Sequence, residues 1–183
     1  MKKHDLVYLT EDASHDAAIE TINEEAFGPG RFARAAARIR EQGPHDRALS
    51  FICADNGETI ASVRMTPVTA GSVKGHLLGP LAVRPAHKNQ GIGRELVRIA
   101  VEAARRKGSE AIILVGDPPY YQPLGFEKVR YGALQFPGPV DPARVLVVPV
   151  APDVHARLEG VIAWRDDGAV CLTARAQAQG AAA

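Results

Sequence analysis

The sequence predicts an α/β fold of the α+β type, one domain built on a mixed central β-sheet with helices against it. Three observations point there. Asp55-Asn56-Gly57-Glu58 stands between two β-rich runs, and its Asn-Gly pair signals a hairpin and hence antiparallel neighbours. A sheet run over His76 to Val83, a long amphipathic helix and the apolar run Ala111 to Val115 form a strand–helix–strand crossover, which adds a parallel pair. With 183 residues, 46% of them hydrophobic, the chain suffices for one core and calls for no second.

In chain order, Asp5 to Thr10 reads as a strand, and the helix after it places Ile19, Ile22 and Ala26 on one stripe until Gly28-Pro29-Gly30 breaks it. Arg31 to Gln42 repeats the helical period through Phe32, Ala35, Ala36 and Ile39, and Gly43-Pro44 ends it. Leu49 to Ala54 and Thr59 to Thr69 are the two hairpin strands, and His76 to Val83 is a third sheet run. The long helix, ending at Lys107-Gly108, carries Ile92, Leu96, Ile99, Ala100 and Ala103 on its apolar stripe. Arg98/Glu102 and Glu102/Arg106 have ion-pair spacing on its solvated face. Ala111 to Val115 is short, apolar and continuous, which marks a central strand buried on both faces. A Pro-Pro turn, a short helical piece to Leu124, a strand from Phe126 and a strand over Val145 to Val150 complete the pattern. Arg175 to Ala183 reads as a loose tail.

Composition excludes several classes. Lys and Arg total 22 against 21 Asp and Glu, so the chain lacks the basic footprint of nucleic-acid binding. No apolar run approaches the roughly 20 residues of a membrane span, and Leu6 to Leu9 is too short for a leader. Cys53 and Cys171 form neither a disulfide framework nor a thiolate metal site, and no His, Cys or carboxylate cluster has metal spacing; a reducing cytoplasm is the plain expectation.

Chemistry concentrates in Leu81-Ala82-Val83-Arg84-Pro85-Ala86-His87-Lys88-Asn89-Gln90-Gly91-Ile92-Gly93-Arg94, which runs from strand through turn to helix start. Unpaired amides and the positive end of the helix dipole suit an anion with several oxygens, and glycines let it approach the backbone. On spacing alone, Gly91 and Gly93 serve a tight turn equally well. Leu96 stands where a dinucleotide fingerprint needs its third glycine, and no Gly-Lys-Ser/Thr follows for a P-loop.

Together with Leu78-Gly79-Pro80-Leu81-Ala82-Val83-Arg84-Pro85 and Gly116-Asp117-Pro118-Pro119-Tyr120-Tyr121-Gln122-Pro123-Leu124-Gly125-Phe126, this turn resembles the GNAT superfamily of N-acetyltransferases, in particular its bacterial members of the YhbS type. The resemblance spans roughly residues 5 to 150. Lys88 departs from the family's usual Arg or Gln at the first motif position and keeps charge without the planar fork. The resemblance implies a GNAT fold, with the sheet splayed between strands 4 and 5, and acetyl-CoA as donor co-substrate. Lys88, Asn89, Gln90, Gly91, Ile92, Gly93 and Arg94 would hold the pyrophosphate, while Leu81, Ala82 and Val83 pair with the pantetheine arm. Gly79-Pro80 would then mark a bulge, the alternative being a shortened edge strand, and the Leu81 amide would polarise the thioester carbonyl. Tyr121 matches the family's Tyr-x-x-x-Gly-Phe and is the expected general acid, the alternative being a packing tyrosine beside Phe126; Tyr120 would pack or touch substrate.

For the base, Glu24 or Glu25 is the expectation, with His76, Asp117 and water also open. The implied function is transfer of an acetyl group to a primary amine, directly and within a ternary complex, since no covalent nucleophile motif is present. A GNAT-fold protein that senses acyl-CoA without catalysis is the alternative, and a domain whose glycines only shape turns is a third. The acceptor pocket is expected between Phe27–Phe32 and Tyr131 to Pro142. Residues 1–150 would be the acetyltransferase domain and 151–183 an extension packed in part on it. The acceptor amine is unassigned, neither nucleic acid nor membrane is expected as partner, and the oligomeric state is open, a homodimer included.

Overall fold

The computed structural model describes residues 5–167. Cys171 and the expected loose tail from Arg175 lie outside them. β1 (Leu6–Thr10), β2 (Phe51–Asp55), β3 (Glu58–Ala70), β4 (Val73–Val83), β5 (Ala111–Val115), β8 (Val145–Pro149) and β6 (Glu127–Lys128) follow one another across the sheet in the order β1-β2-β3-β4-β5-β8-β6. β7 (Leu134–Gln135) pairs with β9 (Gly160–Trp164), which also pairs with β3. The Asn-Gly hairpin is present: Asn56 and Gly57 both take positive φ, 49° and 83°, in the turn between β2 and β3. β9 lies along Val68 to Ala70, continuing the edge of β3 that β2 covers nearer its start.

All neighbours on the main path are antiparallel except β4 and β5, which run parallel for two residue pairs only, His76 with Ile112 and Leu77 with Ile113. Beyond Leu77 the two strands part, and among the described residues β4 continues from Leu78 to Val83 without a partner on that side. This is the splayed sheet that the resemblance implied. A bulge falls on the same stretch of β4, because Val63 faces Leu81 while Met65 faces Leu78, so Gly79 and Pro80 together oppose Arg64.

Side chains alternate between two cores. Ile112 and Leu114 of β5 and Leu146 and Val148 of β8 pack under α3 (Ile92–Arg106), while Ala111, Ile113, Val145 and Val147 join Ile39 of α2 (Ala35–Arg40) on the other face. β5 is buried along four of its five residues, as a central strand requires. α1 (Asp16–Phe27) packs Ile19 against Ile52 and Ala54. Val154 of the short helix Val154–Arg157, Leu158 and Ile162 belong to the same core as Ile39.

Three local expectations change. Helix α3 buries Ile92, Gly93, Leu96, Val97, Ala100, Val101 and Ala104, with Ile99 and Ala103 only half-buried, since the helix meets the sheet along the 93–97–100–104 line. Arg98 pairs with Glu95 at 2.6 Å instead of Glu102. The second helix is shorter than expected: Pro29–Ala33 is a tight 3-10 turn, Arg34 is extended (φ −73°, ψ 142°), and Phe32 is left exposed.

His76 is buried on β4, its Nδ1 3.0 Å from Ser109 Oγ. The Ser109 hydroxyl donates to the Ala111 carbonyl at 3.0 Å, so Nδ1 carries the imidazole proton and donates to Ser109, while Nε2 is buried without a partner. Burial, and then the charge of Arg165, push His76 down to about 4. An ordinary histidine near 6.5 takes up its proton first in the unfolded chain, so stability present above that pH is lost as pH falls towards 4, by about 3 kcal/mol. Urea unfolding at pH 7 and pH 4 should therefore show a drop smaller by about that amount in His76→Gln; equal drops would mean His76 does not carry it.

Candidate functional site

Helix α3 opens on Gly91, which holds φ 80° in the left-handed region that glycine tolerates, and no side chain caps the helix. The first backbone bond of α3 runs from the Glu95 amide to the Gly91 carbonyl at 3.0 Å. Among the described residues the amides from Asn89 to Arg94 have no partner, whereas the Lys88 amide is already spent on the Pro85 carbonyl at 3.3 Å. The free run thus begins one residue later than the motif, and Lys88 brings only its charge. Space in front of Gly91 is open, with no atom within 4 Å of where a Cβ would stand. Gly93 differs: a Cβ there would come 2.7 Å from Tyr120 Oη, so this glycine makes room for a tyrosine. Arg94 lies 5.7 Å over the Tyr120 ring.

A cavity of about 740 Å³ lies where β4 and β5 separate, on the side of α1 and α2. Its floor is Leu78 to Leu81 of β4 and Leu114 to Asp117 at the end of β5, and Tyr121 and Arg144 close one end. Glu20, Asn23 and Phe27 face it from α1, Arg31, Arg34 and Arg40 from the α2 region, and Arg64 and Thr66 from β3. Phe27, Arg31, Phe32, Pro139, Val140 and Asp141 come from the two segments expected to form a pocket, but Tyr131 is 84% exposed and outside the wall.

Tyr121 is wedged in place. Its ring meets Phe126 edge-on at 5.6 Å and Tyr120 at 4.8 Å, and Gly116 lies so close beneath that a Cβ would overlap the ring. Burial, and then the nearby Tyr120 and Asp117, push the Tyr121 phenol up to about 12, with Arg144 and Arg40 opposing. Tyr120 is raised by burial as well.

Of the expected bases only Asp117 lies on this cavity's wall. Glu24 and Glu25 are exposed and off the wall, and Glu25 Oε2 is 3.9 Å from Arg84 Nε. The helical turn instead directs Glu20 and Asn23 inward, three residues apart. His76 is off the wall too, and Asp117 is on it but paired with Arg144 at 3.0 Å. Sequence reasoning missed Asn23, Arg40 and Thr66. Arg40 alone had a signal, since it follows Ala36 by four and so extends an apolar stripe.

Buried Glu11 ties the wall together. It accepts from His45 Nε2 at 2.7 Å, Arg47 Nη1 at 2.9 Å and Arg64 Nη2 at 3.0 Å, and Asp16 of α1 takes Arg47 and Arg64 at 2.7 and 2.8 Å. Burial raises the Glu11 carboxyl, but the bonds from His45 and Arg64 outweigh it and hold it below the usual range. Arg64, opposite the bulge, is thereby clamped to α1.

An opened parallel pair beside a helix start with uncapped amides defines a class of α/β domains whose main-chain donors suit a phosphate group. The pattern of the acetyltransferase (GNAT) family matches residues 12–126, more than half the chain, and the chain belongs to that family. It is 29% identical over 143 residues to the uncharacterised N-acetyltransferase YjhQ of Escherichia coli K12, covering 76% of this chain and 78% of that one. With YhbS of the same organism it shares 25% over 151 residues, 81% and 89% of the two chains. Among solved structures it is similar in fold to Escherichia coli YhbS in complex with CoA (TM-score 0.74, 23% identity, 90% and 92% covered). A GNAT family acetyltransferase from Brucella melitensis in complex with acetyl-CoA gives a TM-score of 0.65 at 24% identity, with 89% and 97% covered.

Replacing Glu11 by Gln strands two arginines around a neutral amide. Urea denaturation should show a loss of about 3 kcal/mol. A loss below about 1 kcal/mol would mean that Asp16 alone suffices to hold Arg47 and Arg64.

Proposed function

We propose that this chain moves the acetyl group of acetyl-CoA to a primary amine by direct transfer in a ternary complex. The run of unpartnered amides from Asn89 to Arg94, beside the unpaired edge of β4, carries the reading. These residues fit a diphosphate: the space before Gly91 is open, the donors converge at the positive end of a 15-residue helix, and the side chains of Lys88 and Arg94 are exposed beside them. The CoA and acetyl-CoA held by the two solved relatives support it.

Bound acetyl-CoA supplies the acetyl group as a thioester. Leu81, Ala82 and Val83 offer main-chain groups on the free edge of β4 to the pantetheine amides, as an added strand would use them. At the bulge, the Leu81 amide is the donor for the thioester oxygen. Tyr121 keeps its proton throughout the neutral range and holds it at Oη for the departing sulfur, whose ordinary thiol pKa is about 8.5. On the wall Glu20 is engaged by Arg31 and Asp117 by Arg144, while Glu41 and Asp141 also line it, so the proton of the attacking amine leaves to water in the cavity or to one of these latter two carboxylates. No side chain is acylated on the way.

Tyr121→Phe keeps the ring packed and removes the proton. Thiol release should fall by about a hundredfold or more while CoA affinity, titrated separately, changes less than about threefold. Parallel loss of both would give Tyr121 a packing role, and tight CoA binding without thiol release across an amine panel in the unmodified protein would make the chain a sensor.

A further inference from the structure

We propose that the acceptor is an amino acid, a small amine whose carboxylate lies within a few bonds of its amino group, and that Arg40 binds that carboxylate. This rests on the acetyltransferase reading above and narrows its substrate. Arg40 ends α2 with its guanidinium against the bulge of β4: a Cβ on Gly79 would stand 2.9 Å from Nη2. Its Nε is buried without a hydrogen-bond partner. Among the described residues no carboxylate lies within ion-pair distance of it, and the charge that faces it at neutral pH is that of Arg34. Burial and then Arg34 push Arg40 down to about 10, which leaves it charged at neutral pH.

Three other arginines on the wall are matched by carboxylates. Arg31 has Glu20, Arg64 has Glu11 and Asp16, and Arg144 has Asp117. Arg34 lies 5.0 Å over the Phe27 ring and adds a second cation beside Arg40. Asn23 Oδ1 and Thr66 Oγ1 face the same cavity, and both are buried without partners. Unsatisfied buried polar atoms are few in folded proteins, so three on one wall mark where ligand atoms belong. A guanidinium fork matches a carboxylate in geometry and charge, and the Asn23 oxygen can accept from an amine. Polycationic acceptors would add positive charge next to Arg34 and Arg40 and are disfavoured. The position of Arg40 limits the spacing: a carboxylate held at the bulge keeps an amine one carbon away beside Leu81 and Tyr121, where the transfer takes place in the proposed reaction.

The test compares free L-amino acids with the matching amino acid amides, by thiol release at saturating acetyl-CoA and by calorimetric titration into the CoA-bound protein. An acid should exceed its amide by about tenfold or more in kcat/KM, through KM, and in affinity. R40Q should bring that ratio to within about twofold of one, and R40K, which keeps charge but not the fork, should recover part of it. Equal use of acids and amides overturns the proposal, as does R40Q lowering kcat for both with the ratio unchanged, since Arg40 would then serve the donor. Should R40Q not fold, R40K alone decides, a fall in the ratio of about threefold supporting the proposal and an unchanged ratio refuting it. If simple amines and amides release thiol and acids do not, the transferase reading stands and this one fails. If nothing releases thiol, the transferase reading fails, and calorimetric preference for acids over amides still separates a carboxylate site from none.

Discussion

Strands β4 and β5 pair for two residues and then part, and most of what matters in this protein follows from that separation. Two neighbouring residues of β4 share one partner on β3, and the second is a proline that has no N–H to give to either side. Continuing the parallel ladder past Leu77 would need donors and a straight strand that β4 does not have there. The gap exposes one edge of β4, makes room for the cavity and leaves α3 starting beside it. A ligand that pairs with that edge replaces the missing strand, so binding energy is gained where the fold leaves backbone groups unpaired.

Electrostatics divides the cavity into settled and unsettled parts. Around Glu11, charges of both signs are within hydrogen-bond reach and satisfy one another, and the cluster fixes α1 and β3 in relation to the bulge. Around Arg40 no carboxylate closes in among the described residues, and Asn23 and Thr66 leave polar atoms bare on the same wall. The contrast within one cavity, saturated scaffold on one side and unanswered donors and acceptors on the other, is what separates residues that build the site from residues that wait for a ligand. Tyr121 belongs to both, packed by Gly116 and Phe126 yet present on the wall with its proton secured by burial.

Local signals were legible where one residue's own stereochemistry decides. Asn56-Gly57 produced its turn, Ala111 to Val115 its buried strand, and Gly91 its left-handed helix entry. Legibility fell where packing chooses among similar options. The apolar stripe of α3 shifted from Ile99 and Ala103 towards Val97, Val101 and Ala104, because several hydrophobic faces were available and contact with the sheet selected one. Phe32 went to the surface when Arg34 broke the second helix, and glutamates 24 and 25 turned out to sit on the face of α1 away from the cavity.

The sequence by itself determined the order of strands and helices as far as β6, the hairpin, the crossover and the glycine turn that opens α3, since those follow from backbone preferences and from periods of two and 3.6 residues that act between near neighbours. β7, the helix over Val154–Arg157 and β9 were not read from it. Which side chains meet in the cavity was decided only by tertiary structure. Asn23, Arg40, Thr66 and Tyr121 come from four separate elements, and nothing local marks a guanidinium as lacking a carboxylate. That lack is a property of the space around Arg40, set by how α2 lies over the opened sheet.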